Sequence, residues 1–292
     1  MPQPKAEIGV IGGSGLYEME GLTGIQEINI DTPFGKPSDS IIVGNLEEVN
    51  VAFLPRHGKG HRITPTEVPY HANIYALKAL GVERIISINA VGSLKEEMKP
   101  GDMVIPDQLI DRTHMRGNTF FGDGIVAHIP CAEPFCPVMR PTLYRVAQGV
   151  GAKVHDGGNC IVMEGPAFST RAESFLYRSW GADIIGMTLL PEAKLAREAE
   201  MCYAAVASVT DYDCWHGSYA SVTAEMIIST LLKNVVASKQ IIKMAVKEFT
   251  RERDCACASA LQTAIVTSPR LMPDKTKQKL DLIIGKYLKK DK

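Results

Sequence analysis

WGADIIGMTLLPEAKLAREAEMCYAAVASVTDYDCW, residues 180–215, is the stretch whose reading decides the fold. It reads as strand, short loop, helix, strand and polar loop. Residues 183–186 form a short, largely apolar run. Pro191 stands where the first turn of a helix begins, a position that needs no N–H from it. Over 190–201 the small residues Ala193, Ala196 and Ala199 stand between charges, so one face can pack closely on a sheet. Residues 203–209 carry no charge and suit a buried parallel strand. Asp211 and Asp213 follow at its carboxyl end, where α/β proteins hold ligands.

Outward from this unit the same alternation continues. Short apolar runs at 7–13, 26–30, 40–43, 51–54, 84–88, 103–105, 108–111 and 159–163 predict strands. Helical patterns occupy 66–80, 137–149, 171–180, 223–249 and 275–288. Strands alternating with helices predict an α/β fold: a single-domain twisted mixed, mostly parallel β-sheet flanked by helices. The main unit is expected over 1–250. Residues 251–292 form a C-terminal extension with Cys255-Ala256-Cys257 and a Lys-rich helix.

Composition narrows the function classes. The formal net charge is −1, so bulk charge draws the chain to neither nucleic acid nor a membrane surface. The N-terminal MPQPKAEIGVIGG lacks the apolar core of a secretory signal, and no apolar run is long enough to span a bilayer, which makes the cytoplasm the expected location. Seven scattered cysteines without a CxxC pair argue against a disulfide scaffold and against a metal centre. Cys255 and Cys257 read either as plain thiols or as a strained, labile disulfide, and Cys136 and Cys202 are a further candidate pair.

The chemistry-bearing residues share one property: each follows a predicted strand. Ser14 lies in a glycine-rich turn that fits neither the GxGxxG fingerprint, since residue 18 is Glu18, nor a P-loop. Arg56 opens the cationic loop Pro55–Arg62 and suits bidentate recognition of an oxyanion. Asn89-Ala90 is a small-residue turn. Thr188 precedes the Pro191 helix, whose N-terminus favours an anion. Phe168 offers a flat face for stacking, although position alone favours core packing. The segment 112–134, with His114, Arg116 and His128, has no period and is long enough to be functional or to pack on a partner. Donors for a small anion beside a flat face and two carboxylates suggest phosphate attacking a nucleoside.

The motifs IGVIGGSGL (8–16), DTPFGKPS (31–38), PRHGKGH (55–61), NAVGSL (89–94), PGDMVIPDQLIDRT (100–113), AEPFCP (132–137) and EGPAFSTRAES (164–174), with the opening stretch, resemble the trimeric purine nucleoside phosphorylases. Within them they resemble the S-methyl-5'-thioadenosine phosphorylase branch. The resemblance implies a twisted mixed sheet flanked by helices, assembled as a trimer or a dimer of trimers. It implies that Ser14, Arg56, His57, Asn89, Ala90 and Thr188 bind phosphate and that Met187 contacts the ribose. Phe168 would pack on the purine, Asp211 would protonate N7, and Asp213 would support the 6-amino group. Ala224, Ile227, Ile228 and His128 would surround the 5' substituent, His128 by reaching a neighbouring subunit's site. Phosphate is a co-substrate, and neither a metal nor another cofactor is expected.

Asp211 in place of the Asn of 6-oxopurine relatives favours a 6-amino base. Two positions depart from the family pattern: Ala167 replaces an arginine, and Asn89 stands where some relatives carry threonine. The latter widens the alternatives to a purine nucleoside or methylthioinosine phosphorylase. A non-catalytic nucleoside-binding protein is the rival from another class, and a nicotinamide-dependent oxidoreductase is poorer because the glycine fingerprint fails.

Overall fold

The computed structural model describes residues 4–13, 15, 16, 18–217, 224–249 and 252–288, with side chains at 224–229 and 231–233 left undescribed. Its strands are β1 (Ile8–Gly12), β2 (Thr23–Ile28), β3 (Ile41–Leu46), β4 (Val49–Pro55), β5 (Arg84–Ser93), β6 (Met103–Ile105), β7 (Gln108–Arg112), β8 (Val154–Asp156), β9 (Asn159–Met163), β10 (Ile184–Gly186) and β11 (Cys202–Tyr212). The helices are α1 (Tyr70–Ala79), α2 (Met139–Gly149), α3 (Arg171–Ser179), α4 (Leu189–Glu198), α5 (Ala224–Glu248), α6 (Asp274–Lys279) and α7 (Asp281–Leu288). The expected α/β class holds: one mixed, mostly parallel sheet with helices on both faces. None of the helices, among the described residues, is long and apolar enough to cross a membrane.

Alternation along the central strands builds two cores at once. On β11, Tyr203, Ala205, Ala207 and Val209 face the layer that holds Ile74 and Leu77 of α1 and Leu195 of α4. Cys202, Ala204 and Val206 face the opposite layer, with Leu143 of α2 and Ile241 and Ile242 of α5. A strand buried on both faces must be apolar throughout, which is why this run carries no charge. The C-terminal extension packs back on the main unit: Leu261, Ala264, Met272, Leu280 and Ile283 join the first core.

The sheet forks at β5. One edge of β5 pairs with β11 along its whole length. The other edge pairs in parallel with β1 over Arg84–Ser87, then antiparallel with β10 at Gly92 and Ser93. The sequence reading ended this strand at 88 and took Asn89–Ser93 as a turn. The structure corrects it, because β11 continues alongside and keeps the backbone extended. The mixed character of the sheet shows at this edge, since β10 runs against β5. The end of β1 and the end of β10 therefore point toward each other, across residues 88–91 of β5.

Some boundaries moved for local reasons. The helix expected from 66 begins only at Tyr70, after Pro65 and Pro69. The expected Lys-rich helix is two short ones, α6 and α7. The reading of the cysteines as scattered, with no clustered ligands, is overturned: Cys136, Cys202, Cys255 and Cys257 converge, their sulfurs within 4.8 Å of one another. Spacing hid this because Cys136 precedes α2, Cys202 opens β11 and the other two belong to the returning extension. All seven cysteines are free thiols.

Candidate active site

The fork sets the geometry of the cleft. Gly12 ends β1 and packs on Ile88: a Cβ there would stand 2.4 Å from Leu16 Cδ1 and 3.2 Å from Ile88 Cβ, so the approach requires glycine. Pro55 ends β4 in register with Gly12, which places Arg56 beside the fork. Across from it, β10 delivers Met187 and Thr188. Ala90 lies between them and is exposed, whereas Asn89 and Thr188 on either side are buried.

A buried network joins the two arms. Arg56, only 3% exposed, donates from Nε to Glu192 Oε1 (2.8 Å) and from Nη2 to Glu192 Oε2 (3.0 Å). Nη2 also reaches Ser87 Oγ (2.6 Å), and Nη1 donates to the Ile88 carbonyl (3.1 Å). Tyr203 OH donates to Glu192 Oε2 (2.8 Å). The Ser87 hydroxyl lies 2.9 Å from both Asn89 Oδ1 and Glu192 Oε2 and donates to one of them. Asn89 Nδ2 donates to Thr188 Oγ1 (2.9 Å), which leaves the threonine proton free to face an anion. The fork-to-fork geometry expected between Arg56 and a ligand is thus made with Glu192. A single Nη1–H of Arg56 remains without a partner among the described residues.

Leu190 is extended (φ −117°, ψ 139°), so the regular part of α4 begins at Pro191, where the sequence predicts its first turn, with Thr188 ahead of it. His57 is not a cation: burial, then the Arg56 charge, push its pKa down to about 4. Its Nδ1 lies 2.8 Å from the Ile63 carbonyl, so Nδ1 carries the proton and Nε2 is an acceptor.

The β11 side of the cleft is built differently. A bulge between Val209 and Asp211 inserts Thr210 into β11 and brings Asp211 opposite Gly92. Thr210 Oγ1 donates to Asp211 Oδ2 (2.7 Å). A Cβ on Gly92 would stand 3.1 Å from Asp211 Oδ1 and 3.1 Å from Ile185 Cγ2, so the missing side chain makes room for the carboxyl group. Burial, with Asp213 as a second cause, pushes the Asp211 pKa up to about 6. Burial also raises Asp213. Its Oδ2 is buried without a hydrogen-bond partner among the described residues. The Ser174 hydroxyl is near enough to favour the charged form, but it too lies outside hydrogen-bonding geometry.

Phe168, for which position favoured core packing, is instead 44% exposed on the loop after β9. That loop touches the Met187 loop, since a Cβ on Gly165 would stand 2.6 Å from Met187 Sδ. Sequence reasoning missed the side chain that joins them. Arg116 donates from Nε to Glu164 Oε1 (3.0 Å) and from Nη1 to the Leu190 carbonyl (2.8 Å). It also donates to the carbonyls of Met187 and Glu164. Burial opposes the Glu164 charge, but the amides of His114 and Met115, with Thr66 and Arg116, hold its pKa at about 2. Ala167 is exposed and leaves this ion pair to Arg116. The only signal was that Arg116 lies in the long segment without a period.

Among the remaining candidates, one is described. His128 is exposed, its amide bonded to the Ala264 carbonyl of the extension (2.8 Å). Ser14 lies outside the described residues, as do the side chains of Ala224, Ile227 and Ile228. Glu192 and Ser87, central to the network, were not among the expected site residues.

Residues 7–247 match the phosphorylase superfamily. A relative from Geobacter sulfurreducens, an S-methyl-5'-thioadenosine phosphorylase, is 60% identical over 282 residues, covering 96% of this chain and 99% of its own. The enzyme of the same name from Koribacter versatilis is 54% identical, with 99% of each chain covered. Among solved structures, a methylthioadenosine phosphorylase from an antarctic soil metagenomic library superimposes with a TM-score of 0.93 at 50% identity, covering 96% of this chain and 99% of that one. A methylthioadenosine phosphorylase from Schistosoma mansoni in complex with adenine gives 0.83 at 38% identity, over 89% and 99%. The resemblance read from the motifs therefore extends over nearly the whole sequence, and the chain belongs to the phosphorylase superfamily.

Proposed function

We propose that the chain catalyses phosphorolysis of S-methyl-5'-thioadenosine to adenine and 5-methylthioribose 1-phosphate. The observation that carries this reading is the buried acidic pair. Asp211, with its pKa raised to about 6, is a carboxylic acid poised to donate. Asp213 presents a buried, unpartnered acceptor suited to a 6-amino group and hostile to a 6-oxo group. The relatives of nearly full length carry the same activity in their names.

In the mechanism, the C1'–N9 bond of the nucleoside breaks as a phosphate oxygen bonds to C1' from the opposite face. The transition state has ribosyl-cation character. Asp211 gives its proton to N7, so adenine leaves neutral, and solvent restores the acid. Hydrogenphosphate loses one proton on forming the ester. That proton passes to solvent, while the neutral His57, a weak base with its pKa pushed down to about 4, offers Nε2 as a hydrogen-bond acceptor. Thr188 Oγ–H, the remaining Nη1–H of Arg56 and the exposed backbone at Ala90 supply donors for the other oxygens, together with Asn89 and Ser14. Phe168 packs on the purine and Met187 on the ribose. Ala224, Ile227 and Ile228 accept the methylthio group. The chemistry draws on no cofactor besides the phosphate co-substrate.

Self-association as a trimer, or a dimer of trimers, belongs to the same proposal. It is supported by exposed apolar side chains beside His128, Val126 and Val266, whose backbones are hydrogen-bonded to each other, and by exposed Leu271 nearby in the same extension. The test is direct: purified protein releases adenine from methylthioadenosine when phosphate is present and not when it is omitted. Equal release without phosphate, or a preference for inosine-type substrates in competition, overturns the reading.

A further inference from the structure

We infer that Cys136, Cys202, Cys255 and Cys257 form a tetrahedral thiolate site for one zinc ion, which staples the C-terminal extension to the main unit. The geometry carries the proposal. Four sulfurs equidistant from a metal at about 2.3 Å lie about 3.8 Å apart along each edge of the tetrahedron. Here Cys136 and Cys255 sulfurs are 3.8 Å apart, those of Cys202 and Cys255 are 3.4 Å apart, and all four lie within 4.8 Å of one another. Cys255 stands near two partners at once, as the vertex of a tetrahedron does. A disulfide would single out one of them.

The four ligands come from three separate places, each fixed by its own backbone. Cys136 N donates to the Tyr203 carbonyl (2.8 Å), and Cys202 N donates to the Glu83 carbonyl (2.9 Å). Cys257 lies in the 3-10 turn Ala256–Ser259, with Cys255 immediately before it. Cys136, Cys202 and Cys257 are buried, while Cys255 is half-buried and leaves an entry for the ion. A zinc ion with four thiolates carries two negative charges, and buried charge needs donors around it. Arg197 Nη1 lies 3.8 Å from Cys257 Sγ, and the amides of Val138 and Met139 point to Cys136. Soft thiolates in tetrahedral array select zinc over the hard cations. Binding involves no oxidant: Zn²⁺ displaces the thiol protons, which go to solvent.

The staple has a reach beyond its own residues. The extension it fixes supplies the Ala264 carbonyl that holds the His128 amide, and Ile265, which bridges to Ala127. Zinc binding thus stands on geometry independent of the proposed reaction, although it orders a segment that the proposed reaction uses.

The experiment is metal analysis of the full chain, expressed with zinc and purified with a reductant and without chelator. The expected result is one zinc per chain, lost in Cys255→Ser/Cys257→Ser and kept in Cys131→Ser, whose cysteine is exposed and outside the cluster. Because the double variant can fail to fold, the unaltered chain is also exchanged with cobalt. Thiolate-to-cobalt charge transfer and intense visible bands of a tetrahedral site are expected. The proposal is overturned by substoichiometric zinc with all seven thiols reactive, by disulfides among these four in mass spectrometry, or by an octahedral cobalt spectrum.

Discussion

The two ends of the cleft are built on opposite principles. At the end proposed for phosphate, Arg56, Glu192, Ser87, Asn89 and Thr188 are bonded to one another, and few donors are left over. At the base end, Asp211 has one hydrogen-bond donor and Asp213 Oδ2 has none. The first end is held in place by the protein before any ligand arrives, so it costs little reorganisation. The second keeps its acids buried and under-satisfied, which raises their pKa values and suits them to the proton transfer proposed. In the proposed reaction, binding and proton transfer thus fall to separate strands, β4 and β5 against β11.

The contrast can be broken from either side. Asp211→Asn removes the acid alone and is expected to lower kcat/KM for methylthioadenosine by about 10²–10⁴-fold, with the KM for phosphate little changed. It also relaxes the bias against inosine-type substrates, as competition kinetics would register. Glu192→Ala attacks the other end. It strands a buried guanidinium and is expected to cost about 3–5 kcal/mol in urea unfolding. An unchanged unfolding midpoint would mean that Arg56 does not depend on its partner.

Arg116→Lys tests the joint between the two ends. It keeps the charge but cannot bond the carbonyls of both loops, so about 1–3 kcal/mol of stability and a rise in nucleoside KM are expected, with kcat less affected. The smallest effect comes from pH. With phosphate saturating, kcat/KM for the nucleoside should fall about tenfold per unit above the Asp211 pKa of about 6, as the acid is lost. The sign for stability is the same. The folded chain binds this proton more tightly than the unfolded one, so the contribution is complete below the ordinary aspartate range and is lost as pH rises through about 6. A flat profile removes Asp211 as the proton donor.

Much of this was legible in residue patterns. The uncharged run at 203–209 and the strand from Asn159 to Met163 lie where periodicity placed them, and Arg56, Asn89 and Thr188 do meet, joined through Ser87. What was not legible is whatever depends on two distant segments. Glu192 reads as one more charge on an Ala-rich helix, because nothing local says that Arg56 and Tyr203 wait beneath it. The direction of β10 is invisible because a three-residue strand carries no sign of its partner's orientation. The cysteine cluster escaped because ligand motifs are recognised by close spacing, and here the chain folds back over more than a hundred residues to complete the set.

At the fork, Arg56 Nη1 takes the Ile88 carbonyl and Nη2 approaches the Ile11 carbonyl at 3.4 Å. Ile11 belongs to the last pair of β1 and β5, and Ile88 is the first residue of β5 past that pair. The guanidinium is therefore a clasp at the point where a zipper opens, and it supplies the N–H groups that a neighbouring strand would have given. Changing Arg56 releases the clasp as well as the phosphate contact proposed for it, and a loss of phosphate affinity in such a variant would report first on how far the sheet has come undone.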